Sequence, residues 1–277
     1  MGDGIFLRAD HRGPQLAAFF SVRLDEAGTG GHHQYAVVAG AVGSPVQWKE
    51  AEGRWENLLR RSKVDAYHDC DFQDRSPPFR GWTKLKSQRF VDAQEKIIRN
   101  HTAFEVAVAV DRADHARIKR ELKGVKGFKA DSDYGLALRI VMFQACGHLA
   151  RQVRDPLVQI ILEDGPWSAD AYKVYQIVKN THGSWKPSPH AHMLAGFNAL
   201  PKGAMRGLEM ADYLAGRAIR DLDVAERPPK REKQTFVLAN EGFLAKWHAG
   251  ILKGKEHRRA YAETKLKNLS SSEEPPS

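Results

Sequence analysis

Gly207-Leu208-Glu209-Met210-Ala211-Asp212-Tyr213-Leu214-Ala215-Gly216 sets one carboxylate in the middle of an apolar helix. Leu208, Asp212, Ala215 and Ile219 stand at i, i+4, i+7 and i+11 and therefore share a face. That face is otherwise apolar and suited to packing on a core. Desolvating a carboxylate there is costly unless its charge is compensated. The compensator is either a basic side chain, with Arg139 as one candidate, or a bound cation. Two further acidic pairs, Asp25-Glu26 and Glu163-Asp164, each end an apolar run and make the cation worth pursuing. Glu209, three residues before Asp212, is a candidate supporting group or alternative ligand.

Outward from this helix, strands and helices alternate. An apolar, aromatic strand is expected over Leu16–Leu24, ending in the turn Asp25-Glu26-Ala27-Gly28-Thr29-Gly30-Gly31. Gln34–Val42 reads as the returning strand of a hairpin. Further strands are expected over Phe104–Val110, Pro156–Leu162 and His190–Phe197. Helical periodicity marks Trp48–Arg61, Ser87–Asn100, Asp114–Leu122, Ser132–Val153, Ser168–Asn180 and Met205–Leu222. This order predicts an α/β domain with a mixed sheet and helices on its faces. It is expected to span residues 15–224, after a flexible start at 1–14. A basic, partly helical extension at 225–269 and a disordered tail at 270–277 follow.

Strand parity constrains the acids. Successive residues of a strand point to opposite faces, so Asp25 and Glu26 do not aim at one site unless the strand has ended. Phe19, Ser21, Arg23 and Asp25 share one partly polar face, and Leu157, Gln159, Ile161 and Glu163 share another. If those faces coincide, Asp25 and Glu163 converge. Three hard carboxylates from two strand ends and a helix suit Mg2+ or Mn2+. Two such ions about 3.5–4 Å apart activate a water and stabilise a leaving oxygen in phosphodiester cleavage. His68 precedes Asp69 and Asp71 in a polar segment, and its imidazole is a candidate to orient water or carry a proton near neutral pH. The glycine turn at 28–31 is no phosphate loop, because it lacks the Lys-Ser/Thr ending.

Composition narrows the partners. The 277 residues are 42% hydrophobic, enough for a sizeable core, yet no run of 18 apolar residues occurs and no membrane span is expected. Two cysteines, Cys70 and Cys146, and a start at Met1-Gly2-Asp3-Gly4 without an apolar stretch lead to the expectation of a reducing cytoplasm. The formal net charge of +9 comes from basic clusters around 117–129, 227–233 and 253–267. Such clusters attract a polyanion, nucleic acid first. Lys230, Arg231, Lys253, Arg258 and Arg259 are the residues expected to hold an RNA or DNA backbone.

Four segments together resemble the DUF3800 family: Leu24-Asp25-Glu26-Ala27-Gly28, His68-Asp69-Cys70-Asp71-Phe72, Ile161-Leu162-Glu163-Asp164-Gly165, and Leu208 through Gly216. Ala27 stands where that family usually has serine, and Glu209 where it has glutamine. The likeness spans about residues 17–222. It implies a ribonuclease H-like fold: a mixed five-stranded sheet flanked by helices, with helical insertions. It also implies a divalent metal held by a first-strand aspartate, a fourth-strand acid and a helical aspartate. Carried over, these are Asp25, Glu163 or Asp164, and Asp212, with His68 beside them and Glu26, Glu209 and Asp71 as supporting groups. The expected function is a metal-dependent nuclease or related phosphoryl-transfer enzyme. The alternative is a non-catalytic nucleic-acid-binding module that keeps the same fold.

Overall fold

The computed structural model describes residues 6–10, 13–29, 32–123, 131–180, 190–201, 203–224 and 233–248. Valine- and alanine-rich runs build its main sheet. Strands β3 (Phe19–Ala27), β4 (Tyr35–Gly43) and β5 (Phe104–Asp111) form an antiparallel meander. Strands β6 (Leu157–Glu163) and β7 (Leu194–Leu200) add in parallel on the β3 side, and β8 (Gln234–Ala239) pairs parallel with β5. The order across this six-stranded sheet is β7-β6-β3-β4-β5-β8. Before it, β1 (Phe6–Asp10) and β2 (Gly13–Ala17) pair as an antiparallel hairpin where an irregular start was expected. The strand anticipated from Leu16 is thus interrupted at Ala18 and resumes as β3.

The helices are α1 (Pro45–Ser62), α2 (Asp69–Gln73), α3 (Lys84–His101), α4 (Arg112–Glu121), α5 (Asp133–Gln152), α6 (Ser168–Asn180) and α7 (Arg206–Val224). Their ends follow capping chemistry. Ser44 and Gln47 close a capping box around α1, Pro45 opens its first turn, and Lys63 ends it in the left-handed region with φ 59°. Ser132 starts α5 by accepting the Gly135 N–H.

Two cores result. Val22, Leu24, Val38, Val106, Val108 and Val110 face α5 and α6, whereas Val37, Ala39, Ala41 and Ala107 face α1, α3 and α7. Alternate residues of one strand therefore serve different cores, which is the period-2 rule at work. No helix among the described residues is long and apolar enough to cross a membrane.

The five expected strands are present, and β8 is a sixth strand of this sheet inside the extension that was expected to be partly helical. Gln-Thr-Phe-Val-Leu-Ala is aromatic and β-branched, and the open edge of β5 gives it a ladder from Glu105↔Gln234 to Val110↔Ala239. A helical segment follows at 241–248, whose Leu244 is fully buried in the α5-side core. Lys230, Arg231, Lys253, Arg258, Arg259 and the tail at 270–277 lie outside the described residues. Because Leu244 docks the extension on the main core, Leu244→Ala should destabilise the chain by about 2–5 kcal/mol. Chemical denaturation of the full chain measures this, and a loss below about 0.5 kcal/mol, the size of an ordinary surface substitution, would show the segment to be undocked.

Candidate active site

Parallel pairing of β3 with β6 aligns Arg23 with Ile161 and Leu24 with Leu162. The next position on each strand carries an acid, so Asp25 and Glu163 stand side by side just past the last β3–β6 pair, at one end of the sheet's central strands. Leu24 and Leu162 both enter the α5-side core. Their neighbours Asp25 and Glu163 therefore fall on the opposite face, beneath α7, as the parity argument expects. Asp164 is exposed beyond the strand end, and its N–H donates to the Leu200 carbonyl at 2.6 Å. Of the two candidates, Glu163 is the one on the face of Asp25.

Helix α7 packs on β3 and β4 and delivers the third acid. From Gly207 to Ile219 every residue is buried except Asp212, whose side chain is 25% exposed. The opening it faces is shared with the segment that leads into α2. Asp69 donates its backbone N–H to Asp212 Oδ2 at 3.0 Å, and His68 Nδ1 stands 3.8 Å from the same oxygen. His68 is the half-exposed residue between buried Tyr67 and buried Asp69, so its imidazole stays on the solvent side of this segment. Arg139 does not compensate Asp212. It belongs to α5 and bonds Asp131 at 2.8 Å.

The structure places two supporting candidates. Glu209 is buried and accepts the Trp55 indole N–H at 2.9 Å, the Tyr67 N–H at 3.2 Å and an Arg206 guanidinium N–H. It joins α1, α7 and the 67–69 segment; a glutamate at i−3 of Asp212 turns inward here because three donors meet it. Asp71 lies inside α2. Glu26 does belong to the cluster. Strand β3 continues through Ala27 on the β4 side, yet pairing with β6 stops at Leu24. Glu26 donates its N–H to Asp25 Oδ1 at 2.9 Å.

Electrostatics mark the cluster. Desolvation pushes the Asp25 carboxyl well above the ordinary aspartate range, and the negative charges of Asp212, Glu26 and Glu163 push it further. Glu26 is raised too, first by desolvation and then by Glu163 and Asp212. Arg23, two residues before Asp25 on the same face, does not offset this. It bonds Glu52 at 2.5 Å and lies 3.9 Å over the Trp48 ring. Among the described residues, no group of three or more His, Cys, Asp or Glu is gathered tightly enough to hold a metal ion as it stands. The donor set nevertheless suits a hard divalent cation, being all carboxylate oxygen with a surplus of negative charge.

Sequence reasoning passed over Asp69 and Arg220 as parts of this site. Arg220 bonds the Asp69 carboxylate, and its spacing of eight residues from Asp212 through Gly216 was the available signal. Gly28 was read as a turn residue only. Its φ of +69° and the close approach of Ile219 and the Tyr35 carbonyl exclude a side chain there, so the turn after Asp25 sits tightly under α7.

No protein-family model and no curated protein matches this chain. Among solved structures, the crystal structure of Bst-RNase HIII in complex with Mn2+ is similar, with 14% sequence identity and a TM-score of 0.42. The alignment covers 75% of this chain and 54% of that one, so this chain spans about half the length of that protein.

The raised carboxyls give a pH signature. A group whose pKa is higher in the fold than in the unfolded chain contributes stability fully present below its ordinary value, here 3.8 for Asp25 and 4.5 for Glu26. That contribution is lost as pH rises through the raised value. In a chelator, the melting temperature should therefore fall from mildly acidic toward neutral pH. Asp25→Asn should melt higher at neutral pH and flatten that slope; an unchanged slope would place Asp25 outside a desolvated acidic cluster.

Proposed function

We propose that this chain is a divalent-metal-dependent nuclease, or a related phosphoryl-transfer enzyme acting on nucleic acid, with a ribonuclease H-like arrangement of its acids. The observation that carries the reading is the placement of Asp25 and Glu163 on adjacent central strands, with Asp212 on the helix above them, the charges of Glu163 and Asp212 both acting on Asp25. The resemblance of four segments to the DUF3800 family points the same way. Asp25, Glu163 and Asp212 would hold Mg2+ or Mn2+, and Glu26 would support Asp25. A bound cation supplies Lewis acidity and a nucleophilic water. His68, at the solvent side of Asp212, would orient a water or the substrate and could exchange a proton with it. The net charge of +9 supplies attraction for a phosphate backbone.

Asp212→Asn is the decisive variant. It should lower Mg2+-dependent cleavage of a panel of single- and double-stranded RNA and DNA by more than about 100-fold, beyond the loss typical of a supporting residue. Wild-type protein should also gain about 2.7 kcal/mol of stability at a Mn2+ concentration 100 times its Kd, through mass action on the folded state. The variant should lose that gain. Cleavage unchanged by Asp212→Asn would remove the metal assignment, and salt-sensitive binding of nucleic acid without turnover would leave a binding module.

A further inference from the structure

We infer that the cavity between the end of α1 and the start of α3 binds an unpaired stretch of the nucleic-acid substrate, with a base on its apolar lining and the flanking phosphates on Lys86 and Arg89; this rests on the proposed function. The cavity measures about 280 Å3. Leu58, Trp82, Leu85 and Phe90 supply its apolar lining, and Ser62, Lys86 and Arg89 are among its polar groups. No carboxylate lines it.

Charge singles this region out. Residues 58–63 and 80–90 carry seven Lys and Arg and no Asp or Glu, whereas the whole chain has 43 basic residues to 34 acidic. Arg60 bonds Asn57 and Lys86 lies 3.9 Å over the Trp82 ring, and among the described residues none of the seven pairs with a carboxylate. Lys84 and Lys86 stand in the first turn of α3, which has no acid and where the helix dipole disfavours cations. Lys86 and Arg89 are three residues apart, a spacing at which like charges repel. A phosphate relieves both costs.

The apolar lining is held in place before anything binds. Trp82 meets Phe79 and Phe90 edge-on at 5.1 and 5.2 Å, and its carbonyl accepts from Arg75 at 3.0 Å. The exposed Lys86 head covers the indole, so a base that displaces it gains an aromatic face while the ammonium turns to a phosphate. Only an unpaired base offers its face in this way. Trp82 and Phe90 belong to the same core as Met210, Tyr213 and Leu214 of α7. Phe90 also meets Tyr67, one residue before His68, at 6.1 Å between ring centres. Two ring contacts thus join the cavity to the segment beside Asp212, so a strand crossing Asp212 reaches it within several nucleotides.

The test is equilibrium binding of the full chain to short oligothymidine, oligouridine and abasic strands and to duplex DNA, in chelator to prevent turnover. Wild type should bind the two base-bearing single strands most tightly. Lys86→Gln combined with Arg89→Gln should weaken them about 10-fold at physiological salt. It should also lower the slope of log affinity against log salt by about 1.4, two contacts at about 0.7 each. Its melting temperature in chelator should not fall, because repulsion at the start of α3 is relieved. Ser62→Phe fills the cavity without changing charge and should weaken base-bearing strands by about 5-fold or more while sparing the abasic strand. Lys173→Gln, at an exposed position on α6, is the control for loss of charge alone.

The cavity would be overturned if the double variant lost no more affinity than Lys173→Gln, or if Ser62→Phe weakened abasic and base-bearing strands equally. Loss of binding only in variants whose melting temperature also falls would overturn it too. In each case, Mg2+-dependent cleavage abolished by Asp212→Asn would leave the proposed function standing. Binding through the cavity as expected, with cleavage unchanged by Asp212→Asn, would overturn the nuclease assignment and keep the cavity. A wild-type chain that binds none of the strands would overturn both.

Discussion

Everything at this end of the sheet depends on the burial of α7 between Gly207 and Ile219. A helix enclosed around its circumference has one orientation and one depth, so whatever it exposes there is exposed at a fixed place. Within that stretch it exposes Asp212. The enclosure is built from contacts that leave no room for larger side chains at two helix positions: Gly207 lies against the Arg23 guanidinium, and Gly216 against the Asp69 carboxylate. Polar bonds then fix the rotation. Glu209 ties the first turns of α7 to α1 through Trp55, and Arg217, further along, is buried against Glu105 on β5. Removing Arg217 would leave the buried Glu105 carboxylate without that guanidinium, a far larger penalty than the net worth of an exposed ion pair.

The charge distribution is divided accordingly. The chain as a whole is strongly basic, yet four carboxylates converge where β3, β6 and α7 meet, and the arginine closest to them on β3 is turned away to Glu52 and Trp48. Burial raises the Tyr134 hydroxyl in the α5-side core, and the charges of Glu26 and Asp25 raise it further. A local negative field inside a positive molecule is what a site needs if it is to concentrate cations while the outer surface draws in a polyanion.

Much of this was legible in the sequence because it rests on periodicity. Alternation along β3 and β6 was enough to put Asp25 and Glu163 on one face, and the 3.6-residue period was enough to single out Asp212 on an apolar row. Where the outcome hinged on three-dimensional contact, sequence fell short. Nothing in the local pattern distinguishes a glutamate that meets an indole and two other donors from one that faces a site, so the tie of Glu209 to α1 was not legible. Asp69 and Arg220 lie 151 residues apart, and only folding brings them together. The strand β8 was missed for a related reason: six residues after a charged linker become a strand only because β5 offers an unpaired edge. The register of Glu163 against Asp164 was left open by the sequence, and pairing of β6 with both β3 and β7 decides which of them faces Asp25.

The position of β8 has a consequence for synthesis. Its ladder partner β5 ends at Asp111, more than a hundred residues before Gln234 leaves the ribosome. Throughout that interval the growing chain carries a valine-rich strand with one side of its backbone unpaired, the kind of edge that recruits strands from other molecules. When β8, the last strand in chain order among the described residues, docks, it covers this valine-rich edge and becomes the outer strand itself.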